Sequence, residues 1–163
     1  IIDFINFTKD LPISIRFIEF MPFDGNKWDM GKMVSFAEVM KYVNEAFEND
    51  NIERLQDAPN DTAKNYKIKD YKGTFAIISS VTNPFCDSCN RLRLTANGQL
   101  KNCLFSSGES DLLTTLRAGE SIEPIIRKAV QAKFKVRGGM DTLKKLKEPK
   151  LHNNNRSMIT IGG

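Results

Sequence analysis

FCDSCNRLRLTANGQLKNCLF, residues 85–105, reads as a β-hairpin with thiols near both of its ends. Asn97-Gly98 is the strongest short hairpin signal in the chain, and the flanking runs Asn90 to Thr95 and Gln99 to Phe105 supply the two strands. Cys86 and Cys89 form a C-x2-C loop just after Pro84, and Cys103 follows across the turn, after thirteen intervening residues. Side chains two apart share a strand face, so Cys89, Arg91 and Arg93 point one way while Leu92 and Leu94 point the other. The register then decides whether the third thiol joins them. A two-residue Asn97-Gly98 loop sets Cys103 opposite Leu92, on the wrong face. A three-residue loop, Ala96 to Gly98 with Gly98 left-handed, sets it opposite Arg91, and this bulged loop is the expected one.

Working outward, Thr74 to Val81 reads as a further strand, and ISIRFIEF, Ile13 to Phe20, as another, ended by Met21-Pro22. Pro22 to Gly31 is a loop. Ser35 is an N-cap candidate before a helix whose apolar positions are Phe36, Val39, Met40, Val43 and Phe47. Together these make one β/α unit. Residues 51–73 are polar, contain Pro59, and are expected to form a linker or variable excursion. Beyond the hairpin, Ser110 to Leu116 reads as a short helix. Ser121 opens a longer one with Ile122, Ile125, Ile126, Ala129, Val130 and Phe134 in its stripe, stopped by Gly138-Gly139. A polar, Asn-rich tail then turns apolar and finishes on Gly162-Gly163. The expected fold class is α+β, with residues 1–50, 51–73 and 74–163 as its three segments.

The bulk properties narrow the function classes. Among the 163 residues, 40% are hydrophobic and 27% charged, and no apolar run approaches the roughly 20 residues of a membrane-spanning helix. A net charge of +4 suits a phosphate-bearing small ligand better than a nucleic acid. Three cysteines are an odd number, two of them are too close for an easy disulfide framework, and no secretory signal precedes them. Metal ligation in a reducing compartment is the natural alternative. Taken alone, the cysteines leave three readings open: structural zinc, an iron-sulfur cluster, or unconnected core thiols. Zinc prefers four ligands, and the sole histidine, His152, lies far off in the tail. A four-iron cluster on three thiolates keeps one iron open. Arg91 and Arg93 are either a solvated strand face or guanidinium forks for phosphate and purine acceptors.

Residues 85–105, the RFIEFMP run at 16–22 and the SMITIGG end at 157–163 together resemble the MoaA family of radical S-adenosylmethionine enzymes, the GTP 3′,8-cyclases of molybdenum-cofactor biosynthesis. The resemblance extends from Ile13 to Gly163. It implies that Cys86, Cys89 and Cys103 hold a 4Fe-4S cluster whose open iron meets the guanine of GTP, and that Arg91, Leu92 and Arg93 contact GTP. It also implies that Met21 touches S-adenosylmethionine, that Arg16 faces the substrate cavity, and that Gly162 and Gly163 thread back to the active site. The β/α unit would be the last of an incomplete TIM-type barrel, followed by a small, mainly antiparallel sheet with helices. The family's C-x3-C-x2-C motif for the other 4Fe-4S cluster does not occur in this sequence, which also begins without Met. The chain is therefore expected to be the C-terminal part of an enzyme about twice as long, inactive without its N-terminal barrel half. That enzyme would be a lyase converting GTP to (8S)-3′,8-cyclo-7,8-dihydroguanosine 5′-triphosphate. The partners so implied are GTP and the barrel half, with a homodimer allowed and with neither nucleic acid nor membrane. The compartment would be bacterial cytoplasm or mitochondrial matrix. The rivals are a zinc-stapled binding module and an auxiliary-cluster domain of another radical enzyme.

Overall fold

Ile15 and Phe17 alternate with the exposed Ser14, Arg16 and Ile18 along β1 (Ser14–Ile18), so this strand has one face for the core and one for its surroundings. The computed structural model describes residues 1–23, 25–148 and 155–157; His152, Gly162 and Gly163 lie outside them. Two compact units divide the chain, one of Ile1–Met21 and Gly31–Ser88, the other of Pro22–Met30 and Cys89–Gly163. The fold is mixed α+β, as expected.

In the first unit, β1 runs parallel to β4 (Thr74–Ile78) from Ser14 opposite Thr74 to Ile18 opposite Ile78. The connection between these parallel strands passes through α2 (Phe36–Ala46), β2 (Ile52–Arg54) and β3 (Lys64–Ile68). The last two complete an antiparallel run, giving the sheet order β1-β4-β3-β2. The 51–73 stretch is thus no linker. Its charged residues hide a strand in which Tyr66 and Ile68 alternate into the core while the intervening positions stay at least partly exposed. α2 begins as the sequence indicates, with a full capping box between Ser35 and Glu38. A helix not anticipated, α1 (Ile2–Asp10), places Ile5 in the same cluster as Val39, Val43, Tyr66, Ile68, Phe75 and Ile77. The turn before β4 presses on the end of α1. A Cβ on Gly73 would stand 2.2 Å from the Ile13 carbonyl oxygen, so only glycine fits there.

Glu19, just past β1, is 3% exposed and gathers the unit's loose ends. Its Oε2 accepts from the backbone N–H groups of Val81 (2.7 Å) and Thr82 (2.9 Å). Oε1 accepts from the Phe36 N–H at the start of α2 (2.9 Å) and from the Thr82 hydroxyl.

The second unit holds an antiparallel sheet of β5 (Arg93–Leu94), β6 (Gln99–Lys101) and β7 (Ser110–Asp111), in that order. These strands are shorter than the sequence suggests. The first residues of the expected 110–116 helix pair as β7 before α3 (Leu113–Arg117) begins. α4 (Glu123–Gln131) packs Ala129, Ile122, Ile125 and Ile126 on Leu100 and Leu112. It ends where the Lys133 N–H closes a tight turn onto the Val130 carbonyl, well before Gly138-Gly139; Val130 within the helix and Phe134 beyond it are both exposed. α5 (Leu143–Leu146) buries Leu146. No described helix is long and apolar enough to cross a membrane.

Replacing Glu19 with Ala would strip buried acceptors from three backbone N–H groups. The expected cost is about 3 kcal/mol or more, read as a lowered denaturation midpoint; a loss below about 0.5 kcal/mol would remove Glu19 from this role.

Candidate functional site

Arg93 stands opposite Lys101 and Leu94 opposite Leu100, so Thr95 and Gln99 close the hairpin around a three-residue loop. The Thr95 N–H donates to the Gln99 carbonyl at 2.9 Å and Gly98 takes a φ of 76°, as the bulged loop requires. Gly98 also fits tightly against α3, where a Cβ would come within 2.4 Å of the Leu113 Cβ. The paired residues end at Arg93–Lys101, and Cys103 lies two residues beyond β6, its carbonyl accepting from the Ser106 N–H at 3.2 Å. The polarity of β5 and its lead-in is inverted relative to an ordinary half-buried strand: Arg91 and Arg93 are half-buried, whereas Leu92 and Leu94 are exposed.

Cys86 lies in a single turn of 3-10 helix, Cys86–Ser88, in the first unit, while Cys89 and Cys103 belong to the second. All three are half-buried and none is in a disulfide. The Lys133 ammonium stands 3.4 Å from the Cys89 sulfur and donates to the Arg91 carbonyl at 2.8 Å. Burial is the largest single influence on the Cys89 thiol and raises its pKa. It is outweighed by the Arg91 N–H, the charge and hydrogen bond of Lys133 and the Arg91 guanidinium, which together hold the pKa below the ordinary thiol value. Arg91 has its Nη1 buried. The donor chemistry thus suits a thiophilic metal or cluster, with reduced sulfurs and one of them biased toward thiolate. No group of three or more Cys, His, Asp or Glu side chains among the described residues is already gathered as a metal cradle.

Lys101, paired with Arg93 on the hairpin, has no solvent exposure. Its ammonium donates to the Ser106 carbonyl (2.6 Å) and the Asn155 side-chain oxygen (3.2 Å), and lies 3.5 Å from Glu109. Burial lowers its pKa, opposed by Glu109. Asn155, also fully buried, donates its amide to the Leu104 carbonyl at 3.1 Å, and Arg156 grips Glu109 through two bonds of 2.6 and 2.7 Å. Hydrogen bonding to Arg156 is the leading cause of the lowered Glu109 pKa. The tail is therefore tied to the 101–109 segment at residues 155–156.

Of the residues singled out from the sequence, Cys89 and Arg91 are brought together, and Arg93 shares their side of the hairpin. Arg16 is exposed on β1 and Met21 is half-buried beyond it, both in the first unit. Lys133, Lys101, Asn155, Glu109 and Arg156 were not anticipated. Only Lys101 carried a signal, sharing its strand parity with Cys103.

The chain matches the family described as Molybdenum Cofactor Synthesis C over residues 13–138. It is 46% identical over 166 residues to "GTP 3′,8-cyclase, mitochondrial" of Arabidopsis thaliana, covering 100% of this chain and 40% of that protein. Against "Molybdenum cofactor biosynthesis protein 1" of Mus musculus the identity is 41% over 165 residues, covering 99% of this chain and 24% of the relative. A bacterial "GTP 3′,8-cyclase" from Desulforamulus reducens is 39% identical over 137 residues, 80% of this chain and 41% of its own. The chain spans less than half the length of each of these relatives.

Asn155→Ala leaves a buried ammonium short of one acceptor and the Leu104 carbonyl without its donor. Stability should fall by about 1–3 kcal/mol, seen as a lower urea midpoint with an unchanged slope. An unchanged midpoint would mean that the tail is not anchored there.

Proposed function

Because the chain belongs to the Molybdenum Cofactor Synthesis C family, we propose that it is the cluster- and GTP-binding part of a radical S-adenosylmethionine GTP 3′,8-cyclase. The observation that carries this reading is the Lys133 ammonium, which stands 3.4 Å from the Cys89 sulfur and donates to the Arg91 carbonyl at 2.8 Å, so that a thiol and an arginine segment are held together. Cys86, Cys89 and Cys103 hold a 4Fe-4S cluster; when bound, such a cluster offers an open iron as a Lewis-acidic site for a purine atom. Arg91 and Arg93 supply charge-assisted hydrogen bonds to the nucleotide, with Leu92 between them on the hairpin's other face. Lys133 fixes the segment that carries the first of these arginines, and the buried Lys101 fixes the segment that carries Cys103.

The β1-α2 unit is the last β/α unit of an incomplete TIM-type barrel whose preceding half, with the C-x3-C-x2-C cluster motif and the S-adenosylmethionine site, lies in a longer protein. Met21 borders that site, Arg16 turns toward the substrate cavity, and Gly162-Gly163 approach the nucleotide by backbone alone. The 163 residues by themselves do not start the radical. A reducing compartment, cytoplasm or mitochondrial matrix, belongs to the same reading, since thiolate-held clusters depend on it.

Anaerobic reconstitution tests the ligand set. Cys103→Ser should bind no four-iron cluster while keeping its far-ultraviolet dichroism, and about four irons per chain in that variant would overturn the assignment. Zinc in place of iron in the parent protein would turn the reading toward a metal-stapled hairpin.

Arg91→Ala and Arg93→Ala should each weaken GTP binding to the reconstituted protein roughly tenfold or more, the equivalent of about 1.5–3 kcal/mol for a charge-assisted contact. Titration of GTP by calorimetry checks this, and unchanged affinity in both variants would return the two arginines to a solvated strand face.

A further inference from the structure

Lys133 lies just past the end of α4, half-buried, with its aliphatic stem leading to an ammonium that has two directed contacts. One is the Cys89 sulfur at 3.4 Å and the other the Arg91 carbonyl oxygen at 2.8 Å, 44 and 42 residues away in sequence. The two contacts flank Asn90, so the ammonium pins both sides of the short segment between a thiol and a guanidinium. No ion pair among the described residues includes Lys133, so a carboxylate does not neutralise its charge there. An ammonium that caps only a loop carbonyl has no need of the sulfur, yet here the sulfur is within its reach. Lysine loses up to about 2 kcal/mol of side-chain entropy on being fixed, a cost that two contacts offset better than one.

We propose that Lys133 is a positioning residue for the Cys89–Arg91 segment, holding the sulfur and the Arg91 backbone in place and setting the electron affinity of a cluster bound through Cys89. The inference rests on the cluster reading above and deepens it. Donation of an N–H to a ligand sulfur and a nearby positive charge both favour the reduced, more negative state of an iron-sulfur cluster, so each raises its reduction potential. Partners of this kind beyond the ligands also orient the ligand itself. Lys133 touches neither substrate nor reacting atoms in this role, and its effect passes through Cys89 and Arg91.

The test uses Lys133→Met, which keeps the stem and removes the donor and charge, and Lys133→Arg, which keeps both. Cys89→Ser serves as the control for the ligand assignment. All are reconstituted anaerobically, checked for folding by circular dichroism, assayed for iron per chain and titrated spectroscopically for the cluster midpoint potential. The expected result is a more negative midpoint in Lys133→Met, largely restored in Lys133→Arg, with Cys89→Ser losing the cluster. Should Lys133→Met load less iron, full loading in Lys133→Arg supports the proposal and equal loss in both variants overturns it. A midpoint in Lys133→Met equal to the parent's also overturns it. Undiminished iron in Cys89→Ser would instead strike the ligand assignment on which the proposal stands, so the two failures are distinguishable.

Discussion

A buried carboxylate must find donors, and Glu19 finds four of them on two separate segments. That requirement fixes more of the first unit than any single apolar contact. The end of β1, the first turn of α2 and the Val81-Thr82 corner are each held to the same two oxygens. Since α2 also has its own Ser35-Glu38 box, its N-terminus is secured twice, locally by the capping residues and at long range by Glu19. The Val81-Thr82 corner in turn leads to the turn that contains Cys86, so the approach to the first thiol begins from a rigid point.

The second unit solves a similar problem with the opposite sign. Lys101 is buried as an ammonium, and the acceptors it gathers, from Ser106, Glu109 and Asn155, fold the 101–109 segment back on itself. Phe105, carried within that loop, buries its ring in a stack with Phe23 at 6.2 Å between centroids. Gly138 passes so close that a Cβ would stand 2.8 Å from the Ser106 nitrogen, which fits its positive φ and its lack of a side chain. Arg137 beside it is buried and spends its guanidinium on the carbonyls of Met140 and Asp141. Cys103 thus sits in a loop constrained from within by a charge and from outside by a glycine.

What could be read from the sequence was whatever a local rule determines. The hairpin loop was legible because Gly98 and the two-residue strand parity admit one register that puts Cys103 and Cys89 on a shared face. The Ser35 cap was legible because the box residues lie three apart. By contrast, β2 and β3 were hidden by Glu53, Arg54, Lys64, Asn65 and Lys67. These are charged or polar residues that serve the less buried positions of an antiparallel run while Tyr66 and Ile68 do the packing. α1 escaped notice because Asp3 and Asn6 interrupt its apolar face, which only the sheet beneath Ile5 completes. Lys133 and Asn155 could not be found locally at all. Their partners lie more than 40 residues away, and nothing in a lysine after a helix or an asparagine in an asparagine run marks it as buried or shared.

The bond between Lys101 and Asn155 joins positions 54 residues apart, and this has a bearing on how the chain is made. A ribosome adds roughly 5–20 residues each second, so the β5-β6 hairpin is complete some seconds before residue 155 exists. During that interval the Lys101 ammonium has Ser106 and Glu109 for company but lacks its buried amide, and the Leu104 carbonyl has no Asn155 donor. The hairpin can form early from its own turn, yet the loop behind it stays solvated until the later segment arrives. Closure of the Cys103 neighbourhood is therefore a late event in synthesis, and a thiol in a loop that closes last is open to solvent for longer than a thiol in one that closes first.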